Sequence, residues 1–281
     1  MELQAFGLIN WLVLGTYLGS NIVLGFVLSK KVTTADDFFV GQRNIPWWAI
    51  GISVVATYVS ALSFLGGPAW AYTEGLSVIA IHLNYPIVIF IVIAFFLPFF
   101  FNSGVASIYE YLERRFGPTS RSVIAVIFLV SQSLTSSAIL YATALVLEFI
   151  TGMPVIYAIV IITFIALIYT IMGGLAAVIW TDVIQAFILL IGAIIITVSL
   201  INNLSLPLGE TLELLKSDGK TNPLNFSFDP TKVSTVWTGV IAMALFHITV
   251  YGANQMMVQR TLASKNIGDA KKSFLMMGYF A

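Results

Sequence analysis

The sequence predicts an all-α polytopic membrane protein, and both its composition and its apolar segments support that prediction. Of the 281 residues, 59% are hydrophobic and 9% are charged, and the mean hydropathy is +0.96. Soluble domains carry about 25% charged residues. The apolar segments run on for ~20 residues, the length at which a helix crosses the hydrocarbon core, whereas membrane β-barrels show short alternating segments. We therefore expect a bundle of helices in the cell membrane.

Charge, cysteine content and motifs argue against several classes of function. The 13 basic and 13 acidic residues cancel, which gives no reason to expect a nucleic-acid partner. The chain has no cysteine and so no disulfide or thiol chemistry. Its first residues lack the features of a cleaved signal peptide. It has no G-x-S-x-G, H-E-x-x-H or G-x-x-x-x-G-K-S/T motif, so we expect neither an enzyme, an organic cofactor nor an ATP-driven pump.

The apolar segments predict about seven spans and the start of an eighth. The spans lie near 8–28, 46–71, 77–101, 122–150, 154–172, 176–201 and 234–257. A last apolar run, from Ser273 to Ala281, is too short to cross a membrane. Because transporters do not usually end inside a helix, we expect the chain to be an N-terminal fragment of a longer protein.

The basic residues predict that the N-terminus lies outside the cell. Cytoplasmic loops carry an excess of Lys and Arg, and this orientation places most of the basic residues inside. The inner residues would be Lys30, Lys31, Arg43, Arg114, Arg115, Arg121, Arg260, Lys265, Lys271 and Lys272. The outer residues would be Lys216, Lys220 and Lys232, all in the connection 202–233.

The second predicted span, from Trp47 to Tyr72, is the segment on which we expect function to depend. Thr57, Ser60 and Ser63 place hydroxyls at roughly helical spacing, and Gly66-Gly67-Pro68 then interrupts the pattern. A weakened helix is tolerated in lipid only where it faces protein or water. A broken span with small hydroxyl residues indicates a transporter's binding site, although a kinked helix with small packing residues fits the same pattern.

Three connections carry local signals. SIYEYLERRFG, from Ser107 to Gly117, predicts either an amphipathic helix suited to anionic headgroups or an ordinary solvated helix. Gly173-Gly174 predicts a tight turn between two spans. Residues 202–233 predict a loop with one short helix near 209–215.

Few ionisable residues fall inside the predicted spans, and each is a functional candidate because burying it is expensive. Asp182 is the strongest, since no basic residue lies near it in the sequence. Its carboxylate suits a hard cation such as Na⁺, or it caps a helix end or contacts an arginine elsewhere. His82 and His247 are each either a core residue with a hydrogen-bond partner or a ligand contact.

Four stretches together resemble the sodium:solute symporter family. They are DDFFVGQRNIPWWAIGISVVATYVSALSFLGGPAWAY, SIYEYLERRFG, YTIMGGLAAVIWTDVIQ and YGANQMMVQRTLAS. They occur in family order across nearly the whole chain. Within the family, they look closest to the sodium-coupled monocarboxylate and vitamin transporters, and the N-terminal part also resembles bacterial sodium/sialic acid symporters.

The resemblance implies that residues 1–281 form a single transmembrane transporter domain. Its fold would be a truncated form of the LeuT-type inverted-repeat fold. The segment 8–28 would be an extra leading span, 46–201 the first five-helix repeat, and 234–281 the start of the second repeat. Family members complete the main sodium site with hydroxyls from the second repeat. A chain that ends at Ala281 is therefore expected not to transport by itself.

The resemblance also implies site residues. The backbone carbonyls of Ala56 and Val59 match positions that hold sodium, and Asp182 matches an acidic residue linked to a second sodium in some members. Val250 stands where sugar transporters have a gating tyrosine, which weakens a sugar-transport interpretation. The substrate-facing positions would be Tyr58, Ser60, Ser63, His82, His247 and Tyr251.

These observations predict sodium-coupled symport of a small organic solute, for example a monocarboxylate or another organic anion, by alternating access. The segment 122–150 lacks the arginine with which sialic acid transporters bind a carboxylate, so another group would have to bind the carboxylate of an acidic solute. A sodium/sugar or sodium/sialic acid symporter remains an alternative. So does a symporter-like ligand-sensing module of a sensor kinase. The expected partners are Na⁺, the solute and the lipid bilayer.

Overall fold

The computed structural model describes residues 6–30, 32–105, 107–229 and 231–280. All regular secondary structure in these residues is helical, which confirms the all-α prediction. Lys31 and Ala281, named above, lie outside the described residues.

The α-helices are α1 (Leu8–Ser29), α2 (Ala35–Val40), α3 (Trp47–Tyr58), α4 (Ala61–Glu74), α5 (Tyr85–Ile91), α6 (Leu97–Ser103), α7 (Ile108–Phe116), α8 (Pro118–Thr151), α9 (Val155–Asn202), α10 (Leu208–Ser217), α11 (Met243–Ala253), α12 (Gln255–Leu262) and α13 (Ile267–Phe280). Segments of 3₁₀-helix, Gly41–Arg43 and Gly75–His82, follow α2 and α4. Segments of π-helix, Val92–Phe96 and Thr238–Ala242, lie between α5 and α6 and before α11.

Several helical runs are long and apolar enough to cross a membrane. In the described part of the chain there are four of them, Leu8–Ser29, Leu62–Ser103, Pro118–Thr151 and Val155–Asn202. A fifth candidate is the pair Thr238–Ala253 and Gln255–Leu262, bent by 49° at Asn254. The predicted spans fall almost entirely on helical residues, whereas their number and the orientation of the N-terminus stay predictions.

Helix α9 contains a break at Gly174. Its 48 residues would extend for about 72 Å if straight, more than twice the ~30 Å hydrocarbon core. Gly174 leaves helical geometry with φ 58° and ψ −151°, a conformation that is essentially restricted to glycine. A Cβ at this position would also collide with the backbone of Phe38. The break separates 155–173 from 175–202, and these two segments correspond to the predicted spans 154–172 and 176–201.

Helix α3 lies at the centre of the packing. Its fully buried residues Ala49, Ile50 and Val54 belong to a core that α5, α9 and α13 complete with their own apolar side chains. The hydroxyl of Ser273, on α13, donates to the carbonyl of Trp47 at 2.7 Å. Helix α13 begins at Ile267, six residues earlier than the last predicted apolar run.

The connections adopt the predicted short helices. Helix α7 is amphipathic, with Arg114 and Arg115 in its last turn, and α10 falls on the predicted segment near 209–215. Lys220 donates to the carbonyls of Tyr72, at 3.0 Å, and Thr73, which attaches the loop after α10 to the C-terminal end of α4. Contact of α7 with a membrane surface stays a prediction.

Candidate functional site

The predicted broken span exists, but the break is not at Gly66-Gly67-Pro68. Helix α3 ends at Tyr58, α4 begins at Ala61, and Val59 and Ser60 between them are extended. Gly66, Gly67 and Pro68 lie inside α4. The prediction of a break is therefore confirmed and its position was wrong.

Hydrogen bonding at Ser60 and Ser63 explains where the break falls. The Ser60 hydroxyl accepts from the Ser63 backbone N–H at 3.3 Å, and the Ser63 hydroxyl accepts from the Ser60 N–H at 3.4 Å. This reciprocal capping box starts a new helix. Pro68, further along, removes one backbone donor from α4, and neighbouring groups compensate for such a loss in membrane helices.

The break changes the hydrogen bonding of the carbonyl groups near it. The carbonyl of Ala56 accepts from the N–H of Val59 at 3.1 Å, and that of Tyr58 accepts from the Ser63 hydroxyl at 3.1 Å. The carbonyl of Val59 accepts no hydrogen bond from any residue that the structure describes. Val59 as a whole residue is 38% exposed, so the chain at the break is not enclosed by the rest of the protein.

Next to the break lies an aromatic cluster, whose members are Tyr58, His82, Tyr85, His247 and Tyr251. The Tyr85 ring stacks with those of His82 and His247, at centroid distances of 5.6 Å and 5.0 Å. Its hydroxyl lies 3.3 Å from that of Tyr251, whose ring in turn lies 5.1 Å from that of Tyr58. The structure thus brings together four of the predicted substrate-facing residues, with Tyr85 at their centre.

Asn84 connects this aromatic cluster to the backbone of two elements. Its Nδ2 donates to the carbonyls of Ile81, at 2.6 Å, and Gly239, at 3.0 Å. Its Oδ1 lies 2.7 Å from Nδ1 of His247. Asn84 is completely buried, whereas His82 is exposed and His247 is 7% exposed.

The other two predicted substrate-facing residues are placed differently. The hydroxyls of Ser60 and Ser63 make the capping interactions at the start of α4, and Ser63 is exposed. Of their hydroxyls, only that of Ser63 has a hydrogen bond to a member of the aromatic cluster among the described residues, at the backbone carbonyl of Tyr58. A role for either serine in solute binding stays a prediction.

A second polar site, the charged triad, consists of Ser53, Asp182 and Arg260. Arg260 Nη2 lies 3.1 Å from Asp182 Oδ2, with the two side chains 9% and 14% exposed. The Ser53 hydroxyl donates to Asp182 Oδ2 at 2.6 Å and accepts from Arg260 Nε at 3.0 Å. Helices α3, α9 and α12 thereby meet at one ion pair.

The triad bears on two of the sequence predictions. Of the roles considered for Asp182, the structure shows contact with an arginine distant in sequence, while the role of sodium ligand stays a prediction. Arg260 is 8% exposed, so it does not lie in a solvated connection as the count of inner basic residues assumed.

The connection between α1 and α3 contains the short helix α2, whose start is stabilised by a capping box. Thr34 and Asp37 form a capping box at the start of α2, and Asp37 also accepts from Thr33. These hydrogen bonds, first those from Thr33, lower the pKa of the Asp37 carboxyl to about 2. Gln259, next to Arg260, donates to the carbonyl of Phe39 at 2.7 Å, so α2 is attached to α12 beside the triad.

Sequence reasoning missed Tyr85 and Asn84 as site residues, and Ser53 and Arg260 as partners of Asp182. The need of an intramembrane carboxylate for a partner is a signal that could have pointed to Arg260. Asn84 lies inside the predicted span 77–101, and nothing local in the sequence marks it as a site residue.

Comparisons with known proteins show which family this chain is similar to. Residues 38–281 match the family model of the sodium:solute symporter family. The sodium/sialic acid symporter SiaT of Proteus mirabilis (strain HI4320) is 34% identical over 275 residues, covering 98% of this chain and 55% of that protein. Sodium-coupled monocarboxylate transporter 2 of Mus musculus is 31% identical over 255 residues, covering 90% of this chain and 41% of that protein.

A solved structure shows the same fold. It is described as the substrate-bound outward-open state of a Na⁺-coupled sialic acid symporter with a novel Na⁺ site. The TM-score is 0.86 at 32% sequence identity, and the match covers 98% of this chain and 57% of that one. The chain thus spans about half the length of the relatives that it matches.

Proposed function

Because the chain belongs to the sodium:solute symporter family, we propose that it forms part of a symporter that couples sodium entry to uptake of a small organic solute. The observation that carries this proposal is the helix break at Val59 and Ser60, which leaves the Val59 carbonyl, next to the aromatic cluster, without a donor among the described residues. Interrupted helices of this kind surround ion and substrate sites in transporters. As a member of this family the chain is a multi-pass membrane protein, and we place it in the plasma membrane or, in bacteria, the inner membrane.

The break supports a sodium site at the carbonyls of Ala56 and Val59. Carbonyl oxygens suit hard cations, and the Val59 carbonyl accepts no hydrogen bond within the described chain. Asp182 is the candidate for a second sodium. Its Oδ2 carries the contacts with Ser53 and Arg260, while its Oδ1 has no hydrogen-bond partner among the described residues and is not a buried atom. One carboxylate oxygen is therefore available to a cation without loss of the ion pair.

The aromatic cluster, which includes Tyr58 directly before the break, supports a solute site there. Tyr58, His82, His247 and Tyr251 offer rings and neutral polar atoms, and Ser60 and Ser63 offer hydroxyls at the start of α4. An anionic group would be stabilised there by the positive end of the α4 dipole. Sialic acid and monocarboxylates are named for the relatives, and a small organic anion is the class that we propose for this chain.

For the whole protein we propose alternating access in a LeuT-type inverted-repeat fold with the N-terminus outside. In this chain α1 would be the extra leading span, 46–201 the first repeat, and 234–281 the start of the second. A second repeat would complete the sodium site, so we expect a protein that ends at Ala281 to show no sodium-dependent uptake.

Uptake into proteoliposomes by the complete protein tests this function. Labelled monocarboxylates, sugars, sialic acid and amino acids would each be supplied with an inward Na⁺ gradient, a K⁺ gradient or none. Accumulation that requires sodium is the expected result. A protein that binds one of these solutes but shows no sodium-dependent flux would contradict symport and favour a ligand-sensing membrane module.

A further inference from the structure

The hydrogen bonds of Asn84 determine which way its amide faces. Both groups beside Nδ2 are backbone carbonyls, those of Ile81 and Gly239, and carbonyls can only accept. Exchanging the amide oxygen and nitrogen would put Oδ1 against these two acceptors. Oδ1 of Asn84 therefore faces Nδ1 of His247, at 2.7 Å.

Close packing holds this amide in place. Gly239 lies in the π-helical segment before α11, and a Cβ there would collide with the carbonyl of Ala80. Only a residue without a side chain lets this segment come near enough for its carbonyl to reach Asn84. Asn84 is completely buried, so its side chain does not reach bulk solvent.

This arrangement fixes the tautomer of His247. An amide oxygen accepts, so Nδ1 must carry the proton that it donates. In the neutral ring Nε2 is then an acceptor. Nε2 has no hydrogen-bond partner in the described part of the chain, and it is not among the buried side-chain atoms that lack one, so it borders accessible space.

We propose that Asn84 is a positioning residue, which holds His247 in the Nδ1–H tautomer so that Nε2 presents a hydrogen-bond acceptor to the solute. This inference rests on the proposed function. It restricts the solute to molecules that offer a donor at that point.

The chemistry of the aromatic cluster favours a hydroxyl as that donor. Tyr58, Tyr85 and Tyr251 are neutral, and within the cluster no carboxylate faces His247. An ammonium group would lose its hydration against neutral partners, whereas a hydroxyl loses much less on leaving water. The solute class is thus a small hydroxylated acid, in contrast to the same acid without the hydroxyl.

Nitrogen-15 NMR of histidine-labelled protein in nanodiscs tests the tautomer directly. This chain contains two histidines, and loss of signals in His247→Gln assigns those of His247. The expected spectrum shows a protonated Nδ1 and an unprotonated Nε2. A protonated Nε2 with an unprotonated Nδ1 would overturn the proposal, whether or not the protein transports.

Two variants separate positioning from a purely structural role. Asn84→Asp keeps an oxygen opposite Nδ1 but loses both donors to the backbone, and Asn84→Ala loses all three interactions. We expect the Nδ1–H signature to survive in Asn84→Asp and to be lost in Asn84→Ala. If both variants fold and lose it alike, bracing of the backbone is the only role of Asn84.

Glycolate and acetate, which differ by one hydroxyl, test whether the solute donates a hydroxyl hydrogen bond to Nε2 of His247. In sodium-containing buffer we expect glycolate to shift the Nε2 signal, with an affinity roughly tenfold above that of acetate. The difference should persist in Asn84→Asp and vanish in Asn84→Ala. Equal responses to the two acids, including no response to either, would overturn the hydroxyl assignment. Absence of sodium-driven uptake by the complete protein, beside an intact Nδ1–H signal, would refute symport alone.

Discussion

The aromatic cluster and the charged triad both contact helix α3, yet they differ in chemistry and in burial. The ring of Tyr58, at the end of α3, lies against that of Tyr251, and His82, in the same cluster, is exposed. Ser53, in the same helix, joins a buried ion pair. We propose that the cluster offers polar atoms to a ligand, whereas the groups of the triad largely satisfy one another. A single helix thus carries a site suited to binding and a site suited to holding three helices together.

The largest effect is expected at the triad. Arg260→Met leaves Asp182 buried without its cation, and removing one partner of a buried ion pair costs about 3–5 kcal/mol. The double variant Asp182→Leu/Arg260→Met removes both charges, so most of the stability should return. Denaturation of the purified proteins in detergent measures the stability of the single and of the double variant. A double variant no more stable than Arg260→Met would show that the ion pair is not the source of the loss.

Ser53→Ala should have a smaller effect at the same place. It removes one donor to Asp182 and one acceptor for Arg260, and a buried group left unsatisfied costs about 1–3 kcal/mol. Ser20→Ala is the matched control, because that exposed hydroxyl only donates to the carbonyl of Tyr17. Equal unfolding transitions for the two variants would contradict the bridging role of Ser53.

A substitution in the aromatic cluster should reduce the free energy of unfolding by less than one in the triad. Tyr85→Phe keeps the ring that stacks with His82 and His247 but removes the hydroxyl 3.3 Å from that of Tyr251, at a cost of about 0.5–1.5 kcal/mol. Tyr72→Phe, in an exposed position, serves as the control for thermal denaturation. A loss as large as that of Arg260→Met would mean that the cluster is as structural as the triad.

The smallest effect is expected outside the membrane, at Asp37. The pKa of this carboxyl is lowered to about 2 from 3.8, so its stabilising contribution is full above pH 3.8 and is lost as the pH falls through 2. The difference in unfolding temperature between the protein and Asp37→Asn should be constant at neutral pH and shrink in that acid window. A difference that grows on acidification would have the wrong sign for a lowered pKa.

The helix break shows how far local sequence reasoning reaches. Gly66-Gly67-Pro68 carries the strongest breaking residues, and the sequence predicts the interruption there. The chain instead stays helical through them and breaks at Val59 and Ser60, where two serine side chains can replace the lost backbone hydrogen bonds. The helix propensity of single residues has a weaker influence than hydrogen bonding and packing, which decide where a helix break is tolerated.

The sequence by itself determined the membrane class, the positions of most helices and several residues of the candidate site. These features follow from composition, apolar segment length and a recognisable series of motifs, all of which can be counted along the chain. Tyr58, His82, His247 and Tyr251 were named in this way before the structure brought them together.

Only the tertiary structure decided which polar groups meet. Asp182 and Arg260 are 78 residues apart, and Asn84 and His247 are 163 apart. Such pairs depend on how helices pack, and no local pattern specifies the partner that a buried polar group will find. Because an unpaired polar group is costly inside a membrane protein, the packing that pairs these groups also separates the aromatic cluster from the charged triad.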